Sequence, residues 1–211
     1  MMKTCIGLLF VLLSMGSCKG QSDETTKNQK VGGPCEDCEA ALDYQVLKID
    51  PTPIDTLEGF KNTDPKIKIT GTVLKPDGKT PADNVILYVY QTSRAGIYEP
   101  SINPVGWEKR HGKFRGWMKT GTDGRYTFYT FRPAPYPDGR EPAHIHLYIK
   151  EADKNPYYVD NYLFSDDPIL REKEKEDLDN RGGPGIVTFE EKDGILTAHR
   201  DIFLGLNIPD Y

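Results

Sequence analysis

"KIKITGTVLKPDGKTPADNVILYVYQT", Lys66–Thr92, decides the fold class. Two β-prone runs, Ile67–Leu74 and Val85–Tyr90, flank Pro76-Asp77-Gly78, a turn signal in which proline presets φ and glycine accepts a left-handed backbone. Downstream, "RGWMKTGTDGRYTFYTFRP" (Arg115–Pro133) repeats the form, with Asp123-Gly124 as the turn and Tyr126–Phe131 as an aromatic strand. "AHIHLYIK", "PYYVDNYLF", "GIVTFEE" and "GILTAHRDIFL" add short strands toward the C-terminus. Only "DDPILREKEKEDLDN", Asp166–Asn180, has helical composition, opening on a capping Asp-Asp-Pro before a charged run. Short strands with regular turn punctuation predict an all-β chain: a β-sandwich core with long loops and one short charged helix near 166–180.

Composition agrees. The 211 residues carry 20 glycines, 16 prolines and 12 tyrosines, a balance that favours turn-rich β architecture over a helical bundle. Formal charge is −5 and no basic stripe occurs, which argues against nucleic acid as a partner.

Chemistry concentrates in "RPAPYPDGREPAHIH", Arg132–His146. Residues i and i+2 of a strand share a face, so His144 and His146 can offer two imidazoles to one point, while Ile145 and Leu147 face a core. Tyr136 sits upstream between prolines, whose restricted backbone holds a side chain at low entropic cost. Phenolate is a hard anionic donor whose unperturbed pKa is near 10, so a strongly Lewis-acidic ion is needed to deprotonate it at neutral pH. Zinc sites prefer His, Cys and carboxylate, and ferrous oxygenases prefer two His with one carboxylate. Two histidines with two tyrosinates suit Fe(III).

These segments resemble the intradiol ring-cleavage dioxygenases, the family of catechol and protocatechuate dioxygenases. The likeness runs from about Ile69 to Ile149 and rests on four elements in order: Gly-x-Tyr ending at Tyr98, a Thr-Asp-x-x-Tyr strand, the Pro-Tyr-Pro turn and His-x-His. Carried over residue by residue, the resemblance implies that Tyr98, Tyr136, His144 and His146 ligate Fe(III), with Tyr98 as the axial tyrosinate and base. It further implies O2-dependent cleavage of an aromatic ortho-diphenol between its two hydroxylated carbons, giving a muconate-type diacid. No organic cofactor is implied. The family commonly carries an arginine three residues before the first ligand histidine; Glu141 stands there, with Arg140 one residue earlier. Arg140 is the residue expected to take over that catalytic role.

Two other functions stay open on the sequence alone. The strand-and-turn segment also resembles transthyretin-like or carboxypeptidase-regulatory-like β-sandwich modules, which would make the chain a non-catalytic binding lipoprotein. The histidines alone could also hold zinc or copper. His111 is expected on an exposed loop and His199 in a late strand, neither as a ligand, while Trp107 and Trp117 could line a pocket or simply pack.

The beginning, "MMKTCIGLLFVLLSMGSCKG", has Lys3, an apolar run too short for a permanent span, and small residues before Cys18. It resembles a bacterial lipoprotein signal, implying a signal peptide over 1–17, lipidation at Cys18, and export to a bacterial membrane with a periplasmic or extracellular domain. Contact with the membrane would then be through the lipid alone. Residues 18–34 read as a flexible polar tether and 35–211 as the folded domain, a layout that suits a monomer. Cys35 and Cys38, a Cys-x-x-Cys with no second pair, favour a local disulfide in an oxidising compartment, with a metal or redox role as the alternative.

Overall fold

The computed structural model describes residues 29–211. Residues 1–28, with the expected signal peptide, Cys18 and most of the tether, lie outside the described residues. The strands in chain order are β1 (Ile54–Thr56), β2 (Lys66–Leu74), β3 (Ile86–Gln91), β4 (Arg115–Lys119), β5 (Arg125–Phe131), β6 (His144–Lys150), β7 (Tyr157–Phe164), β8 (Ile186–Val187), β9 (Glu190–Lys192), β10 (Ile195–His199) and β11 (Ile202–Phe203). One sheet runs β1-β5-β2-β10-β9, with β11 also on β2; the other runs β4-β3-β6-β7-β8. No helix among the described residues is long and apolar enough to cross a membrane.

Alternation explains how the sheets face each other. β2 buries every second residue, and Ile67, Ile69 and Val73 are wholly enclosed. Leu87 and Val89 of β3 and Ile145, Leu147 and Ile149 of β6 meet them from the second sheet, all at 0% exposure. The expectation that Ile145 and Leu147 point away from the histidines into a core is therefore met. Neither Pro-Asp-Gly nor Asp-Gly pairs the two strands it separates, however: β2 pairs with β5, while β3 pairs with β4 and β6. Each turn carries the chain from one sheet to the other.

β3 is buried on both faces. Its outward residues Ile86, Tyr88 and Tyr90, with Trp117 and Tyr148, are covered by a segment that includes Cys38, Ala40 and Ala41. That cover is a 3-10 turn, Cys38–Leu42, leading into α1 (Asp43–Val46). Two further short helices are α2 (Glu108–His111) and α3 (Glu172–Glu176), the latter inside the expected helical stretch. The others escape sequence reading because four or five residues cannot display a 3.6-residue period.

Gln29 to Pro34, assigned to the tether from sequence, pack onto the sandwich. Val31 is 2% exposed and its N–H donates to Asn155 Oδ1 at 2.7 Å, while the Gly32 N–H donates to the Pro209 carbonyl at 2.7 Å. A disulfide links Cys35 to Cys38.

Candidate metal centre

The site lies on the covered face of the second sheet, where two long connections leave the strand ends. Between β3 and β4 the chain carries Tyr98, Arg110 and His111; between β5 and β6 it carries Tyr136, Arg140 and Glu141. The roots of the two connections are fastened together. Gln91, fully buried at the end of β3, donates from Nε2 to the Phe131 carbonyl at 2.8 Å and accepts from Thr130 Oγ1 at 3.1 Å. Thr92 Oγ1 donates to the Ala134 carbonyl at 2.7 Å, and the Ala134 N–H donates to Ser93 at 3.2 Å.

Gly96 brings the loops into contact beside the site. Its φ is +76°, and a Cβ there would overlap the Pro135 carbonyl oxygen. Only glycine meets both demands. Gly96→Ala is expected to cost about 1–3 kcal/mol and to pull Tyr98 from Tyr136, read as a lower urea midpoint; an unchanged midpoint would contradict this.

Four donor atoms converge. Tyr98 Oη lies 2.5 Å from Tyr136 Oη and 2.7 Å from His146 Nε2. Tyr136 Oη is 3.3 Å from His144 Nε2 and 3.5 Å from His146 Nε2, and the two Nε2 atoms are 3.1 Å apart. His144 Nδ1 sits 2.8 Å from the Pro142 carbonyl, which can only accept, so in neutral His144 the proton is on Nδ1 and Nε2 turns a lone pair inward. Bonds of about 2.1 Å to one metal ion place neighbouring ligand atoms roughly 3.0–3.4 Å apart; the His144–His146 and Tyr136–His144 pairs stand at that spacing, and the two contacts of Tyr98 are shorter. Among the described residues no group of three or more His, Cys, Asp or Glu could hold a metal. The donor set reaches four only through its phenols, and two hard oxygens with two imidazoles fit ferric iron better than zinc.

Electrostatics sharpen the point. Burial pushes the Tyr98 phenol far above its ordinary range, and its hydrogen bond with Tyr136 adds to the rise. Burial also raises Tyr136. Burial lowers both His144 and His146, the latter further because His144 and His111 lie close. The protein alone thus favours neutral phenols and neutral imidazoles, and a multivalent cation is what would make the phenols anionic.

Arg140 is not brought to the cluster. Its side chain is 84% exposed, with Nε 3.7 Å from Asp138 Oδ2. Glu141, at the position of the family's arginine, is close enough to oppose ionisation of both Tyr98 and Tyr136.

A cavity of about 270 Å³ opens on the cluster. Cavities of about 150 Å³ hold benzene, so a single diphenol ring fits. Tyr90, Tyr148 and His111 line it together with Tyr98, Tyr136 and His146. Its remaining lining residues are Glu36, Asp37 and Arg110, brought in by the disulfide segment and α2. Tyr90 is sandwiched between two imidazoles, its ring centre 3.8 Å from His111 and 4.3 Å from His146.

His111 departs from the exposed loop expected of it: it is 3% exposed. Its Nδ1 lies 2.9 Å from Tyr88 Oη, and burial, with Arg115 and Arg110 nearby, brings its pKa down from 6.5 to about 4. A depressed folded pKa means the unfolded chain binds the extra proton first, so stability is full above pH 6.5 and falls as pH drops toward 4. The loss is expected to reach about 2–3 kcal/mol and to be smaller in His111→Gln, as thermal melts from pH 7 to pH 4 would show; equal slopes would refute it. Trp117 stacks on Tyr88 at 4.9 Å beneath the site, Trp107 packs against His111, and His199 pairs with Asp201 at the surface. Tyr90 and Tyr148 continue the alternation of their strands and could have been found by extending it. Asp37 offers no such signal, being 109 residues from His146 in sequence.

No protein-family model matches the chain. Catechol 1,2-dioxygenase 1 of Acinetobacter lwoffii is 26% identical over 168 residues, 72% of this chain and 50% of that protein. The protocatechuate 3,4-dioxygenase beta chain of Burkholderia cepacia is 32% identical over 131 residues, 56% of this chain and 55% of that protein. The chain spans about half the length of these curated relatives. Among solved structures, the dioxygenase domain of a dioxygenase–carbohydrate-binding fusion from Streptomyces sp. SirexAA-E superposes with a TM-score of 0.55 at 21% identity, covering 74% of this chain and 89% of that one. An intradiol ring-cleavage dioxygenase from Tetranychus urticae gives 0.54 at 17% identity, covering 84% and 93%. Over part of its length the chain is thus similar in sequence to catechol and protocatechuate dioxygenases, and it shares the fold of solved intradiol ring-cleavage dioxygenases.

Proposed function

We propose that the protein is a non-haem Fe(III) dioxygenase that cleaves a single-ring ortho-diphenol between its hydroxylated carbons to a muconate-type diacid. The convergence of Tyr98, Tyr136, His144 and His146 on one point beside a ring-sized cavity carries this conclusion. A non-catalytic sandwich module has no use for such a donor set, and a site of histidines alone leaves both phenols unexplained. The relatives' names, catechol 1,2- and protocatechuate 3,4-dioxygenase, support the substrate class.

Bound ferric iron would draw electron density from the diphenol ring and open it to O2. The side chains do the rest. His144, its tautomer held by the Pro142 carbonyl, and His146, stacked on Tyr90, are oriented donors. With a cation bound, Tyr98 would be a tyrosinate, and its oxygen, beside Tyr136 and His146, would accept a phenolic proton from the entering diphenol and be left as the neutral phenol that its burial favours. Tyr90 and Tyr148 wall the ring and limit water. Arg140 has no part in this scheme, because its side chain points to solvent.

Protein purified from iron-replete cells should be red to burgundy from phenolate-to-ferric charge transfer and should consume O2 with catechol or hydroxyquinol. A colourless, iron-free protein without uptake would overturn the assignment. We further propose export and lipid anchoring through Cys18, testable by detergent-phase partition of the wild type against Cys18→Ala.

A further inference from the structure

The wall of the cavity away from the four donors holds the N–H groups of Arg110 and His111 and two carboxylates, Glu36 and Asp37. Arg110 Nη2 lies 2.8 Å from Asp37 Oδ2 and 2.8 Å from Glu36 Oε1. His111 Nε2 is buried with no hydrogen-bond partner among the described residues, and the nearby Asp37 Oδ2 is 3.5 Å away. Tyr88, a buried neutral phenol, can donate to His111 Nδ1, which leaves the imidazole proton on Nε2, facing Asp37. A guanidinium beside an imidazole N–H is a seat for a carboxylate. Asp37 already sits in it.

Asp37 is held there. Its backbone is left-handed, φ +61°, inside the loop closed by Cys35–Cys38, and Tyr148 Oη donates to the Glu36 carbonyl at 3.1 Å. Tyr148 in turn meets Tyr90 at 3.0 Å, so the loop is fixed to the strands bearing the donor cluster. On the other side of the site, Glu141 and Asp138 bear on Tyr136, and Arg140 turns away to pair with Asp138. Among the described residues, the one cation lining the cavity, Arg110, is already matched by two carboxylates. A ring substituent carrying negative charge meets repulsion on both sides and no free donor pair.

We infer that this pocket takes ortho-diphenols with no anionic substituent, and that Asp37 is the specificity-determining residue, filling the Arg110–His111 seat that a substrate carboxylate would otherwise use. The inference rests on the ring-cleavage function proposed above.

The test compares 3,4-dihydroxybenzoate with its methyl ester, alike in ring and near in size but different in charge. Both are titrated into iron-loaded wild type, following the visible band and O2 uptake. The ester should bind at least tenfold tighter than the acid, and Asp37→Asn should shrink that ratio at least tenfold. Wild type that binds the acid as well as the ester would overturn the inference while leaving ring cleavage intact. A folded Asp37→Asn variant with an unchanged ratio would overturn the role of Asp37. If Asp37→Asn does not fold, Arg110→Gln serves in its place: with the seat dismantled, the acid should gain nothing, and improved binding of the acid would overturn the assignment. A response to neither ligand, with no O2 uptake on catechol, would remove both the inference and the function beneath it.

Discussion

Tyr136→Phe is expected to bleach the visible band and to weaken ferric binding by at least about 100-fold, since even partners that merely orient a metal ligand are worth 10–100-fold. His146→Ala should do the same more severely, removing a nitrogen that stands within 3.5 Å of all three other donor atoms. Ring cleavage should fall with the iron in both variants. Phenylalanine retains the ring that packs edge-on to Tyr98 and His144, so the apoprotein should fold normally. Iron content, absorbance and circular dichroism measured on the same preparations separate loss of metal from loss of fold. Full iron occupancy and colour in Tyr136→Phe would show that the phenol is not a ligand.

Arg115→Met should be the most damaging change for stability, at about 3–5 kcal/mol. Arg115 Nη1 donates to Asp43 Oδ2 at 2.7 Å with both side chains under 10% exposed. The same carboxylate oxygen accepts the Trp107 N–H at 2.7 Å, and Arg115 Nη2 donates to the Val105 carbonyl at 3.1 Å. One ion pair thus joins α1, the loop before α2, and β4. Methionine would leave the Asp43 charge enclosed without its partner, which costs far more than the intact pair contributes. The double change Arg115→Met with Asp43→Leu should recover much of the loss. Urea unfolding gives the size of the effect. Limited proteolysis should show the segment from Cys35 to Val46 released first, and a midpoint equal to wild type would refute the account.

Much of this site was legible before any coordinates. His144 and His146 followed from the two-residue period of a strand, and Tyr136 from its proline-bracketed turn. Tyr98 was not legible from spacing: 38 residues separate it from Tyr136, and only likeness to a family singled it out. Arg140 illustrates the opposite failure. A charge one position from a motif slot suggests rescue, but Gly139 and Asp138 begin a solvent-facing turn that takes the side chain outward. The cover over β3 was hidden because its binding face is a few small residues, Ala40 and Ala41, with no periodicity to read. The sandwich itself was plain from alternation, whereas the partner of each strand was not, since a Pro-Asp-Gly turn looks alike whether it closes a hairpin or spans two sheets.

Gln91 gives the fastened loop roots a meaning for metal loading. One amide, enclosed where the two sheets come together, sets the gap from which both phenol-bearing excursions spring. On the proposed function, an arriving ion would find its berth already assembled and would not need to recruit distant chain, so uptake should be limited by encounter and dehydration, with little change in backbone hydrogen exchange on binding.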